Sequence, residues 1–190
     1  MAEYKIFEQP HSHDEAFYAD REMADHINQS DHRPRLMQVL EYVANILKDH
    51  PEYSVVDLGC GNGGLLELIP TENKWGYDLQ PSNVAYAKAK GRPVDLLNFV
   101  EGEPKLGDIV IMTETLEHLV DPHGFLAKLK EKGVKWVVAS TPAYETLEFH
   151  APFHLWIWSD SSFGDMFRNS GWTVDIHEVQ FFQFVVASNE

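Results

Sequence analysis

The sequence predicts an α/β fold, in which a mostly parallel β-sheet carries helices on both faces and ends in an antiparallel C-terminal hairpin. From residue 51 onward, short apolar runs alternate with helix-like stretches. This alternation is typical of a parallel sheet covered by helices. The last two apolar runs, 172–176 and 181–186, lie too close together for a helical crossover, so they predict the hairpin.

The elements can be assigned in order along the chain. A first helix is predicted over 34–48, because apolar residues recur there at steps of three and four and Pro34 suits a first helical turn. Strands are predicted at 53–58, 75–79, 108–112 and 136–139, with a further strand between the second and third of these that should end at Asp95, and further helices are predicted at 63–69, 82–90, 124–132 and 159–169. We expect residues 1–50 to form a helical extension or lid and residues 51–190 to form the main domain, as one folding unit.

Composition limits the classes of function. The 190 residues fit a single domain, and 15 Lys plus Arg against 30 Asp plus Glu give a net charge of −15. Such a charge disfavours long nucleic acids, which are bound by neutralising their phosphates. No apolar run approaches the roughly 18 residues of a membrane span, and the polar N-terminus lacks a signal core. We therefore expect a cytoplasmic protein without a membrane partner, and the composition leaves its oligomeric state open.

A glycine-rich turn follows the first predicted strand. Residues 55–66 read VVDLGCGNGGLL, a β-branched strand that runs into glycines and then into a helix. Glycines let the backbone approach a ligand closely, and the helix start offers unpaired N–H groups. The spacing fits both GxGxxG and GxGxG. Asp57 would repel the pyrophosphate of a dinucleotide but suits a cofactor that carries an ammonium group and no phosphate.

Two further acids follow at strand ends. Asp78 closes the second predicted strand, where an acid can accept hydrogen bonds from ribose hydroxyls, and Asp95 lies where the third strand should end, within reach of an adenine amino group. With these motifs, over residues 55–121, the chain resembles class I S-adenosylmethionine-dependent methyltransferases. The resemblance implies a Rossmann-like, seven-stranded sheet. It also implies S-adenosylmethionine as cofactor, bound by Asp57, Gly59, Cys60, Gly61, Gly63, Asp78, Leu79, Asp95, Leu96, Thr113 and Glu114.

A second group of polar residues follows the fourth predicted strand. If residues 114–118 turn helically, Glu114, Glu117 and His118 project from one side and could bind a divalent cation. This E-x-x-E-H pattern resembles two groups of metal-dependent O-methyltransferases, one acting on quinone rings and one on the terminal 2′-hydroxyl of small RNAs. The RNA group implies a further histidine ligand, for which His154 aligns best and His150 is the alternative.

The resemblance therefore implies Glu114, Glu117, His118 and His154 as ligands of Mg, Mn or Co. The alternative is that these polar groups only line the cofactor pocket, in which case His118 or His154 would act as the catalytic base. We expect O-methylation of a small hydroxylated molecule. Methylation of terminal RNA is the main alternative, and an NAD(P)-dependent reductase and a catalytically silent binding module are remote ones.

Overall fold

The computed structural model describes residues 4–5, 18–159 and 161–189. Its strands are β1 (Tyr4–Lys5), β2 (Val55–Leu58), β3 (Lys74–Asp78), β4 (Val94–Leu96), β5 (Ile109–Thr113), β6 (Trp136–Pro142), β7 (Trp156–Ile157), β8 (Thr173–Val179) and β9 (Phe182–Ser188). Its α-helices are α1 (Arg33–Asp49), α2 (Gly64–Leu68), α3 (Pro81–Ala89), α4 (Pro122–Glu131) and α5 (Ser162–Asn169), and 3-10 turns cover His26–Asn28 and Leu116–His118.

Seven strands form one mixed sheet in the order β4-β3-β2-β5-β6-β9-β8. The strands from β2 to β6 in this sheet pair in parallel, whereas β9 pairs antiparallel with both β6 and β8. This confirms the predicted fold class, including the C-terminal hairpin. The chain builds the sheet outward from β2 in both directions, so the direction of winding reverses between β2 and β5. In open α/β sheets, ligands bind at such a switch point, beside the carboxyl ends of the strands.

The helices cover both faces of the sheet. Alternate strand residues point to opposite faces, so Val56 and Val110 pack with α4 and α5, whereas Val55 and Ile109 pack with α1, α2 and α3. All four of these valines and isoleucines are fully buried. A separate two-stranded pairing joins β1 to β7 in antiparallel register, Tyr4 opposite Ile157.

Several predicted boundaries needed correction. Strand β6 runs to Pro142, three residues past its predicted end at 139, and α5 begins at Ser162 rather than at 159. The segment 114–118 does not turn helically throughout, because Glu114 has a φ of +51° and the 3-10 turn begins only at Leu116. Within the described residues, no helix combines the length and the apolar character that crossing a membrane requires.

Candidate active site

A cavity of about 650 Å³ opens at the carboxyl ends of β2, β3 and β5, at the switch point of the sheet. Most of the residues that the sequence singled out line it, namely Asp57, Gly59, Cys60, Gly61, Asp78, Leu79, Thr113, Glu114, His118 and His154. The fold thus brings together side chains from three strand ends and from the segment before β7.

The glycine turn after β2 is held by Asp78. Gly59 and Gly61 have positive φ angles of +84° and +56°. The Gly61 N–H donates to Asp78 Oδ2 at 2.7 Å, and Asp78 Oδ1 accepts from the Gln80 N–H at 2.9 Å and from Asn83 Nδ2 at 3.2 Å. Burial raises the pKa of Asp78, although these hydrogen bonds act in the opposite direction. The carboxylate therefore joins the turn to the start of α3.

Asp57 and Arg35 are two buried ionisable side chains that line the cavity. Their exposed fractions are 2% and 3%. Burial, assisted by the charge of Asp78, raises the pKa of Asp57 to about 8, and the nearby Arg35 partly offsets this rise. Burial likewise lowers the pKa of Arg35 to about 10, against the attraction of Glu117 and Asp57. Asp57 Oδ1 and Arg35 Nε and Nη1 have no hydrogen-bond partner within the described part of the chain.

Arg35 was not among the predicted site residues. It stands four residues before Val39 and eight before Val43, and both of these valines are fully buried, so all three share the inner face of α1. A basic residue on the apolar face of an amphipathic helix was the signal that could have identified it.

Glu117, His118 and His154 form a compact group that we call the His–Glu cluster. One potential ligand atom from each residue lies within 4.8 Å of the others. The 3-10 turn carries Glu117 and His118. The Leu155 N–H donates to the Glu117 carbonyl at 2.7 Å, which fixes the segment of His154 against that turn. Glu117 is fully buried, and neither of its carboxylate oxygens has a hydrogen-bond partner among the described residues. This burial raises the pKa of Glu117 to about 7, despite the opposing effect of His154.

Hydrogen bonds orient both imidazole rings of the cluster. His154 Nδ1 lies 2.7 Å from Glu145 Oε2, and His118 Nδ1 lies 3.3 Å from the Phe153 carbonyl oxygen. Burial alone would lower the pKa of His154, but the hydrogen bond with Glu145 and the charge of Glu117 outweigh it and raise the pKa. Glu145 is a second residue that the sequence analysis missed, since nothing in the spacing of residues 145–154 predicts this contact.

Glu114 lies outside the cluster. Its Oε1 accepts from Ser140 Oγ at 3.1 Å and forms an ion pair with Arg35 Nη1 at 3.4 Å. The reason is the non-helical backbone at Glu114, which turns its side chain away from the face that Glu117 and His118 share. His150 is also outside the cluster, with its Nδ1 at 3.2 Å from the Thr146 carbonyl.

Three predicted cofactor contacts do not line the cavity. Asp95 forms an ion pair with Lys88 at 3.0 Å, and Leu96 is 52% exposed. Gly63 lies against Val94, whose Cγ2 would be 2.7 Å from a Cβ at position 63. Asp95 and Leu96 lie on β4, which is the edge strand of the sheet. The following residues, 97–101, line the cavity instead.

The segment before α1 borders the cavity from the side of α3. The Ala24 N–H donates to Asn83 Oδ1 at 3.1 Å, and Gln80 Nε2 donates to the Glu22 carbonyl at 2.7 Å. His26 and His32 line the cavity with their ring centroids 4.5 Å apart. His11 and His13 lie outside the described residues.

Comparisons with known proteins identify related sequences and related folds. Residues 25–177, well over half of the chain, match the family described as a methyltransferase domain. The ubiquinone biosynthesis O-methyltransferase of Nitrosomonas europaea is 33% identical over 116 residues, an alignment covering 54% of this chain and 49% of that protein. This chain therefore matches about half the length of that curated relative.

Solved structures share the fold. The methyltransferase domain of a bacterial Hen1 aligns with a TM-score of 0.61 at 22% identity, covering 80% of this chain and 98% of that one. Magnesium protoporphyrin IX methyltransferase from Synechocystis PCC 6803, with bound S-adenosylhomocysteine, aligns with a TM-score of 0.65 at 16% identity, covering 91% of each chain. At these identities the likeness concerns the fold alone.

Proposed function

This chain belongs to the methyltransferase-domain family, and from that premise we propose that it transfers the methyl group of S-adenosylmethionine to a hydroxyl oxygen of a small molecule, with a divalent metal held by Glu117, His118 and His154. One observation carries the proposal. A single cavity is lined by a glycine turn with two buried acids and by both imidazoles of the His–Glu cluster. Donor and acceptor sites would thus adjoin.

The residues at the base of the cavity fit the amino-acid end of the donor. That end carries an ammonium and a carboxylate, and Asp57 and Arg35 offer one charge of each sign. Asp57 Oδ1 and Arg35 Nε support this assignment, because neither atom has a hydrogen-bond partner among the described residues and a buried polar atom without a partner is costly. At Gly59 a Cβ would lie 2.8 Å from Thr115 Oγ1, so a glycine fits there without displacing Thr115. Asp78 ends β3, where an acid can accept from ribose hydroxyls.

The His–Glu cluster fits a divalent cation. Both carboxylate oxygens of Glu117 lack a hydrogen-bond partner among the described residues, although the side chain is fully buried. A cation would compensate this charge at the point where two imidazoles approach it. Mixed nitrogen and oxygen donors favour Mn or Co over Mg, which takes oxygen ligands. Glu114 enters the proposal as a partner of Arg35 rather than as a ligand.

Methyl transfer from a sulfonium is a direct displacement, so the acceptor oxygen must lie in line with the S–CH3 bond and must lose its proton. A bound divalent cation supplies the means to lower the pKa of that hydroxyl. The chain's own residues do the positioning: Asp57 and Arg35 hold the donor at one end of the cavity, and the cluster receives the acceptor hydroxyl at the other. Without a metal, His118 or His154 would accept the proton.

A small hydroxylated acceptor suits the charge of the cavity. Among the described residues that line it, acidic side chains outnumber lysines and arginines, and the whole chain carries a net charge of −15. A terminal 2′-hydroxyl of RNA is the second candidate. It is supported by two observations: three of the four ligands that the E-x-x-E-H resemblance implies, Glu117, His118 and His154, come together, and the chain shares its fold with a bacterial Hen1 domain.

A methyl-donor assay tests the proposal. Purified protein is incubated with S-adenosylmethionine and a panel of catechols, glycosides and short RNAs, first with a chelator and then with Mg, Mn or Co restored. We expect a methylated small molecule, loss of product in chelator, and recovery with metal. Full activity in the presence of chelator would contradict a role for the metal. It would indicate instead that His118 or His154 accepts the proton of the acceptor hydroxyl. Product from RNA alone would favour the second candidate.

Binding measurements separate the remote alternatives from this proposal. Calorimetry with S-adenosylhomocysteine should give a signal, and NAD(P) should give none. The reverse result would indicate a reductase. Binding of S-adenosylhomocysteine without turnover on any acceptor would leave a silent binding module as the better description.

A further inference from the structure

Glu145 lies on the segment after β6 and contacts the His–Glu cluster from outside. Its Oε2 is 2.7 Å from His154 Nδ1, and its Oε1 accepts from the Ala151 N–H at 2.7 Å. The side chain is only 5% exposed. Because each carboxylate oxygen already has a partner, Glu145 is placed to act on His154 rather than to bind a cation directly.

The contact determines which ring nitrogen of His154 carries the proton. A carboxylate accepts hydrogen bonds, so the nitrogen beside it is the one that bears hydrogen, and the lone pair of the neutral ring lies on Nε2. The Ala151 hydrogen bond fixes the carboxylate in turn, since it ties Glu145 to the segment that carries His154. Backbone and side chain thus set both the rotation and the tautomer of the ring.

We propose that Glu145 is a positioning residue, which holds His154 in the Nδ1–H tautomer and presents Nε2 to the metal. The proposal rests on the metal site of the proposed function and extends it to a residue beyond the ligands. His154 Nδ1 lies 2.7 Å from a carboxylate oxygen of Glu145. Hydrogen bonds to charged groups are shorter and stronger, so this contact can hold the His154 ring in one orientation.

The tautomer of His154 can be measured in the metal-free protein. Long-range ¹⁵N–¹H correlation spectra, recorded above the pKa of His154, distinguish the two neutral tautomers. We expect the Nδ1–H form in the natural protein and a mixture of forms in Glu145→Gln, whose single oxygen cannot serve both Ala151 and His154. The Nε2–H form in the natural protein would overturn the proposal without any variant.

Metal titration provides the second readout. Removing a residue that orients a ligand typically weakens metal affinity about 10-fold to 100-fold, and we expect that loss for Mn²⁺ in Glu145→Gln by calorimetry. Glu148→Gln is the matched control, since it makes the same change at an exposed site of the same segment and should leave affinity unchanged. Equal affinities for Mn²⁺ in Glu145→Gln and the natural protein would refute the role of Glu145. If the natural protein itself binds no metal, the proposed metal site is wrong. The tautomer measurement still decides whether Glu145 determines the tautomer of the His154 ring.

Discussion

Arg35 and Glu114 form a largely buried ion pair that joins the first helix to the end of β5, with Nη1 and Oε1 3.4 Å apart. The pair gives Glu114 a role different from the metal ligand that the sequence predicted. It also places the guanidinium where its charge acts on both Asp57 and Glu117. One buried cation therefore balances acids at the proposed donor site and at the proposed metal site.

Replacing Arg35 with methionine should weaken donor binding by about 30-fold or more, because truncating one member of a buried charged set costs roughly 2–5 kcal/mol. The donor carboxylate loses its cationic partner, and Asp57 loses the charge that favours its ionised form. Calorimetric titration with S-adenosylhomocysteine measures the change. Lys48→Met on the exposed side of the same helix is the control. Equal affinities for the two variants would show that Arg35 does not contact the donor.

The raised pKa of Asp57 couples stability to pH. Its pKa is about 8 in the folded protein, against an ordinary value of 3.8. Between roughly pH 4 and pH 8 the folded state keeps a proton that the unfolded chain has lost, so this group makes the free energy of unfolding fall as pH rises through that window. Asp57→Asn should remove this dependence and stabilise the metal-free, donor-free protein at pH 8 by about 1–2 kcal/mol.

The same substitution should weaken donor binding by at least about 10-fold, since the donor ammonium would lose its carboxylate. Thermal unfolding across the pH range and calorimetry with S-adenosylhomocysteine measure the two effects. A variant that is both less stable and fully able to bind would contradict the placement of Asp57 beside a charged ligand.

The fold was predictable because its signals are local and repeated. Each strand of the parallel core is a short apolar run, and the hairpin follows from the short spacing between the last two runs. The edge strand β4 is the weak point: only Val94 of its three residues is buried, so its sequence marks neither its end nor its inner face. Asp95 was therefore expected at the cofactor, whereas the structure pairs it with Lys88.

The site was only partly predictable, because tertiary contacts decide which polar residues meet. The spacing of Glu117 and His118 could be read from a helical turn, but the positive φ of Glu114 could not. Arg35 could be noticed as a basic residue on the apolar face of α1, but its partners Asp57, Glu114 and Glu117 are distant in sequence and no pattern identifies them. Glu145 lies in a segment that carries no motif, and its contacts with Ala151 and His154 depend on how that segment folds.

The glycine turn provides a test of local geometry. Gly59→Ala combines a positive φ of +84° with a Cβ that would lie 2.8 Å from Thr115 Oγ1. Gly91→Ala has a similar φ of +71° and nothing within 4 Å of the added Cβ, so it measures the backbone effect alone. We expect a loss of about 1 kcal/mol for Gly91→Ala and of about 2–3 kcal/mol for Gly59→Ala. Denaturant unfolding measures the free energy of unfolding of both variants. Equal losses would mean that the Thr115 side chain can move away from the added Cβ without destabilising the protein.

Glu117→Gln tests whether the buried carboxylate is kept for a cation rather than for the fold. The substitution preserves shape, and it removes a charge that no hydrogen bond within the described residues compensates. Burial raises the pKa of Glu117 to about 7, so the metal-free folded protein is penalised as pH rises from about 4.5 to 7. The variant should therefore be at least as stable as the natural protein in chelator at pH 7, while its affinity for Mn²⁺ falls by 100-fold or more, on the order of 3 kcal/mol.

Glu131→Gln, at an exposed site on α4, is the control and should change neither the stability nor the affinity for Mn²⁺. Thermal unfolding in chelator and calorimetric titration with Mn²⁺ measure both; a destabilised variant with intact metal affinity would mean that Glu117 supports the fold and that the cation lies elsewhere.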